Sequence, residues 1–176
     1  MKSPWYSFAR TMPIPAVVCL MATSLAGCAP TSQASGGIPF SNLVSGSTPL
    51  ADIGASGLFV FDSAGQAEQV ASWLAPETSA ALENADYKSN VIVIAFWGPN
   101  ASTGYAMQIQ EVSLSEKDIR VIAGLTAPDA DSMQSDVITY AYHAVTIPRS
   151  ALPKLSGLKW LLYDSEQNQL AETTTR

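Results

Sequence analysis

Val91-Ile92-Val93-Ile94-Ala95-Phe96-Trp97 is an unbroken apolar run, β-branched and aromatic almost throughout. Such a run reads as a central strand buried on both faces. The pattern downstream is also β. Tyr105, Met107 and Ile109 alternate with Ala106, Gln108 and Gln110, then the apolar face shifts before Val112 and Leu114. Ile119, Val121, Ala123 and Leu125 alternate again, as do Val137, Thr139, Ala141, His143, Val145 and Ile147. Leu158 to Tyr163 and a segment from Gln169 follow, joined by the polar turn Asp164 to Asn168. Upstream, Leu58 to Phe61 is a short strand. Ser63 with Gln66 has capping-box spacing, and Ala67, Val70, Ala71 and Leu74 repeat at helical period, which predicts one amphipathic helix over 64–74. The expected fold is mainly β: an antiparallel β-sandwich or partly open barrel with one N-terminal amphipathic helix.

The first residues are an address rather than a fold. Lys2 and Arg10 precede an apolar run from Met12 to Leu25, too short for a spanning helix, which needs about 20 apolar residues. Leu25-Ala26-Gly27-Cys28 resembles the bacterial lipoprotein box, so 1–27 is expected to be a signal peptide and Cys28 the lipid-attachment residue, several acyl chains supplying a stable membrane anchor. Ala29 after the cysteine resembles an outer-membrane signal, facing the periplasm in a Gram-negative envelope. Residues 28–55 are rich in Ser, Gly and Pro with hardly any charge and read as a flexible tether, within which Phe40, Leu43 and Val44 are able to dock locally. The β domain is expected over 56–176.

Composition excludes several chemistries. From Cys28 onward there are seven Lys and Arg against fifteen Asp and Glu, a formal charge of −8 that repels nucleic acid and anionic head groups. No cysteine follows Cys28, so the domain has no disulfide, thiolate zinc site or cysteine nucleophile. There is one histidine, His143, on an alternating strand that suits packing better than catalysis, and no nucleophile elbow, His-Glu-x-x-His helix, phosphate loop or dinucleotide fingerprint. No catalytic residue, metal or cofactor is expected; Asp129, Asp131 and Asp136 lack the Gly and terminal Glu of a calcium loop.

Strands running alternately up and down put the loops Gly98 to Gly104, Pro128 to Asp136 and Asp164 to Asn168 at one end. They carry Asp129, Asp131, Asp136, Asp164 and Glu166 and no base, an acidic rim of the kind that binds a protein or simply keeps a domain soluble. Asn100-Ala101-Ser102 also matches a glycosylation sequon, one a bacterial lipoprotein does not normally use.

The stretch from Asp86 to Arg149 resembles the C-terminal domain of the PrcB family, subunits associated with bacterial surface protease complexes. The resemblance lies in Asp86-Tyr87 leading into the Val91 to Gly98 run, in Ser102-Thr103-Gly104-Tyr105 and the strand after it, in Pro128 with Met133, and in Val137 to Pro148. A proline usual before the second tyrosine is replaced by Ala141. Asn100 to Tyr105 is also similar to the Thr-Gly-Tyr loop of chagasin-like cysteine-peptidase inhibitors, a resemblance that implies an immunoglobulin-like β-sandwich, although their paired glycines and Arg-Pro-Trp are missing. The resemblances imply a lipid-anchored envelope protein that binds, stabilises or helps assemble another protein, an envelope or secreted protease among the candidates. Asn100, Ser102, Thr103, Gly104 and Tyr105 then join the acidic residues as partner-binding candidates. The alternatives are a protease inhibitor and a passive structural lipoprotein or small-ligand binder.

Overall fold

The computed structural model describes residues 37–49, 51–116 and 118–175. The signal segment, Cys28 and most of the expected tether lie outside them. Eight strands form two four-stranded sheets. In chain order these are β1 (Ser41–Thr48), β2 (Gly57–Phe61), α1 (Ala64–Ala71), α2 (Pro76–Glu83), β3 (Asn90–Asn100), β4 (Ala106–Ser115), β5 (Asp118–Thr126), β6 (Thr139–Pro148), a short 3-10 turn at Arg149–Ala151, β7 (Lys159–Asp164) and β8 (Gln169–Thr174). One sheet has the order β1-β6-β3-β2 and the other β4-β5-β7-β8.

The two sheets face each other across a core of Val93, Ala95, Met107, Ile109, Val121, Val145 and fully buried Trp160, among others. A second apolar layer fills the opposite face of the first sheet. There Ile92, Ile94, Phe96, Tyr142 and Ala144 pack under Ala67, Val70 and Leu74 from α1 and its last turn and Leu82 of α2. The first sheet is therefore sandwiched, which is why β3 and most of β6 are buried at successive positions. The second sheet turns its outer face to water, and β4 and β5 alternate accordingly. The face shift read before Val112 is a bulge: the β4–β5 register slips between Ile109 and Glu111.

The mainly β sandwich matches the expectation, with four corrections. The pairing is mixed rather than wholly antiparallel: β5 and β7 run parallel. The intervening β6 crosses to the other sheet, so the strands before and after it point the same way. A second helix, α2, was not expected; Pro76 at its start supplies the signal, a residue preset for the first helical position. In α1 the capping pair is rearranged, the Gln66 Oε1 accepting from the Asp62 backbone N–H at 2.8 Å. Finally, the region read as tether is partly domain. Residues 41–48 pair along β6, and Ile38 and Phe40 are buried in the core. A Ser- and Gly-rich edge strand needs no apolar stripe, because its backbone hydrogen bonds and the anchors beside it hold it. At Gly46 the missing side chain leaves room for the Tyr142 hydroxyl, whose oxygen would lie 2.7 Å from a Cβ.

Candidate functional site

The strand directions place one end of the sandwich at the end of β3, the start of β4, the end of β5, the start of β6 and the end of β7, as Asn100 opposite Thr139, Ala106 opposite Thr126 and Asp164 beside Ala123 show. The three loops singled out in the sequence therefore lie at the same end. The connection 51–56, carrying exposed Asp52, joins them there because β1 ends opposite Tyr140 and β2 begins opposite Phe96. The bases Lys88, Arg149, Lys154 and Lys159 lie at the other end, where β3 and β7 begin and β6 finishes.

Two of the loops are built into each other. Thr103 donates its backbone N–H to the Ser135 carbonyl at 3.1 Å, and its hydroxyl accepts from the Ser135 N–H at 3.1 Å while donating to Gln134 Oε1 at 3.2 Å. Ser102 contributes its carbonyl to the Thr139 hydroxyl at 2.7 Å. Gly104 has φ +90°, and a Cβ there would lie 2.8 Å from Pro128 Cβ and collide with Gln134. The glycine is thus needed both for its backbone and for the close approach of the second loop. Within that loop, Ser132 donates to the Asp129 carbonyl through its N–H at 3.0 Å and its hydroxyl at 2.6 Å, and Gln134 Nε2 donates to Ser132 Oγ at 2.6 Å.

The candidate residues fall into distinct positions. Asn100 is buried, and its amide donates to the Trp97 carbonyl at 2.9 Å; the nitrogen of the sequon is turned inward. Tyr105 is half-buried and packs edge-on against Trp97, ring centroids 5.3 Å apart, closing the core beneath the loops. Ser102 and Thr103 are half-buried, while Gly104, Asp129, Asp131, Asp136 and Glu166 are exposed. Asp164 is engaged locally: its carboxylate accepts from the N–H groups of Glu166 and Asn168 and from Asn168 Nδ2, each at 2.9 Å. The Asn168 side-chain bond, with these backbone bonds, holds its pKa below the usual carboxylate value. The hairpin it organises stands beside the joined pair, tied instead to Arg120, whose guanidinium lies 4.5 Å over the Tyr163 ring and reaches Gln167.

The apolar part of this end is not marked in the sequence pattern. The strand expected from Val137 begins at Thr139, because its partner β3 ends at Asn100 and gives Val137 and Ile138 nothing to pair with. These two residues and Met133 stand exposed on the loop. Behind the loops, Trp97 and Tyr105 pack against the core between the sheets. Among the described residues, clefts open along the seams of the sandwich, one of about 390 Å³ between β2 and the residues of β8 and one of about 470 Å³ between β1 and β4, where His143 lies. No group of His, Cys, Asp and Glu among the described residues is arranged to hold a metal ion, and no helix among them is long and apolar enough to cross a membrane.

Comparison with curated proteins and with solved structures gives no significant match. Residues 91–148, about a third of the chain, match the family model described as PrcB C-terminal. The match begins within β3 and ends with β6, so it contains both interlocked loops, and over that stretch the chain is similar to a PrcB C-terminal domain.

Proposed function

We propose that this chain is a lipid-anchored envelope protein whose β domain docks a component of a protease complex through its loop end. The observation that carries the reading is that the segment matching the PrcB C-terminal model spans the two loops that hydrogen-bond to each other, making one continuous surface of them. Their rigidity supports recognition, since ordered loops on a fixed sandwich lose little entropy on binding. The geometry is compatible with anchoring through Cys28. The chain reaches β1 from the end opposite the loops, where Ser41 pairs with Thr146 and Ile38 donates to Val112, so a tether running from that side leaves the loop end facing away from the bilayer. In this arrangement the domain stabilises or assembles its partner and performs no chemistry of its own.

The test uses the full chain expressed in its host. Metabolic labelling with a fatty acid should mark the chain, and Cys28→Ser should abolish the label and shift the chain from the membrane to the soluble fraction. Co-purification from detergent-solubilised envelopes should recover a protease or protease subunit. A chain that is unlabelled, or that recovers no partner above background in repeated purifications, overturns the reading.

A further inference from the structure

Four large apolar side chains are conspicuously exposed among the described residues: Leu114 at 50%, Met133 at 101%, Val137 at 47% and Ile138 at 61%. Three of them lie within six consecutive positions on the loop between β5 and β6. We propose that Met133, Val137 and Ile138 form the contact of this loop end, and that they seat in an apolar pocket edged by Lys or Arg on a folded protein partner. The proposal rests on the docking function above and names the part of the surface and the chemistry of the partner.

The loop presents these side chains on a fixed frame. Ser132, Gln134 and Ser135, which alternate with or adjoin Met133, are held by Asp129 and Thr103, and Val137 donates its N–H to the Ser135 carbonyl at 2.9 Å. A fixed convex tip loses little freedom when it enters a concave site. Methionine suits such a tip, since its unbranched, polarizable side chain adapts to a pocket.

Charge then selects the occupant. Asp129, Asp131 and Asp136 are exposed on the same loop as the apolar residues, and Pro128 to Ile138 contains no Lys or Arg. An anionic bilayer is repelled by that rim. A second copy meeting it face to face would oppose carboxylates with carboxylates, which disfavours self-association through this tip. A protein pocket with a basic edge satisfies both parts, the apolar centre excluding water and the rim steering the approach.

The experiment places a photo-crosslinking amino acid in the full chain in its host, in turn at Met133, Ile138, Ser102 and Leu114. One protein should be captured from both Met133 and Ile138 and not from Leu114, with the captured peptide mapping to apolar residues bordered by Lys or Arg. With that protein purified, Met133→Asp with Ile138→Asp should weaken binding at least tenfold while circular dichroism stays unchanged. Changing Asp129, Asp131 and Asp136 to Asn should flatten the salt dependence of association. A partner captured from Ser102 alone, or equally from Leu114, overturns this inference and leaves the docking function standing. Adducts only with lipid or a second copy of the chain overturn the inference as well. Absence of any adduct from all positions overturns both.

Discussion

His143 Nδ1 on β6 accepts a hydrogen bond from the backbone N–H of Ile109 on β4 at 2.8 Å, a buried side-chain link between the two sheets. It satisfies a backbone donor at the edge of the second sheet, where β4 has a strand on one side only. The bond requires the neutral imidazole, and burial lowers the pKa of this histidine. The only histidine of the chain thus links the two sheets through its Nδ1.

A pH dependence follows from that bond. The unfolded chain takes up a proton near pH 6.5, the folded protein only at lower pH, so the unfolded state binds more protons between the two values. The contribution of His143 is complete above about pH 6.5 and is lost as pH falls through the depressed folded value. Urea unfolding from pH 8 to pH 5 should show that loss, and His143→Phe should remove this component of the slope while destabilising by about 1–3 kcal/mol through the orphaned Ile109 N–H. An unchanged slope in the variant would contradict the assignment.

Gly104 and Gly65 should respond oppositely to added side chains. Gly104→Val meets a left-handed backbone and the side of Pro128 and should cost about 1–3 kcal/mol, read as a lower melting temperature. Gly65 lies in α1 with nothing within 4 Å of a Cβ, so Gly65→Ala should stabilise by up to about 1 kcal/mol.

One hydroxyl makes two of the hydrogen bonds that join the loops. Thr103→Val keeps the side-chain shape but removes the acceptor of the Ser135 N–H and the donor to Gln134. Global stability should drop by about 1–2 kcal/mol at most. The Ser135 amide should exchange with solvent markedly faster, measured by hydrogen exchange, while amides of β3 keep their protection.

Arg149 fastens the opposite end without a carboxylate. Its Nε donates to the Tyr87 carbonyl at 3.0 Å and its terminal nitrogen to the Asp62 carbonyl at 2.7 Å, tying the residues after β6 to those before β3 and after β2. Arg149→Ala should cost about 1.5–3 kcal/mol. Arg149→Lys should recover only part, because an ammonium cannot present the same rigid fork. High salt should change the difference little, since neutral carbonyls accept the bonds.

The strand pattern was legible because each signal is local. The apolar run at Val91 to Trp97 needs a sheet buried on both faces, and the broken alternation after Ile109 needs a bulge; both are present. These features follow from periodicity and backbone sterics, which one stretch of chain carries by itself. Only tertiary structure decided the rest. It drew Ser41–Thr48 out of a tether-like composition by giving it β6 to pair with, made β5 and β7 parallel by sending β6 to the other sheet, and left Val137 and Ile138 exposed because β3 ends at Asn100. In each case the outcome depended on whether a distant strand offered unpaired backbone groups at that position, a condition no side-chain pattern records.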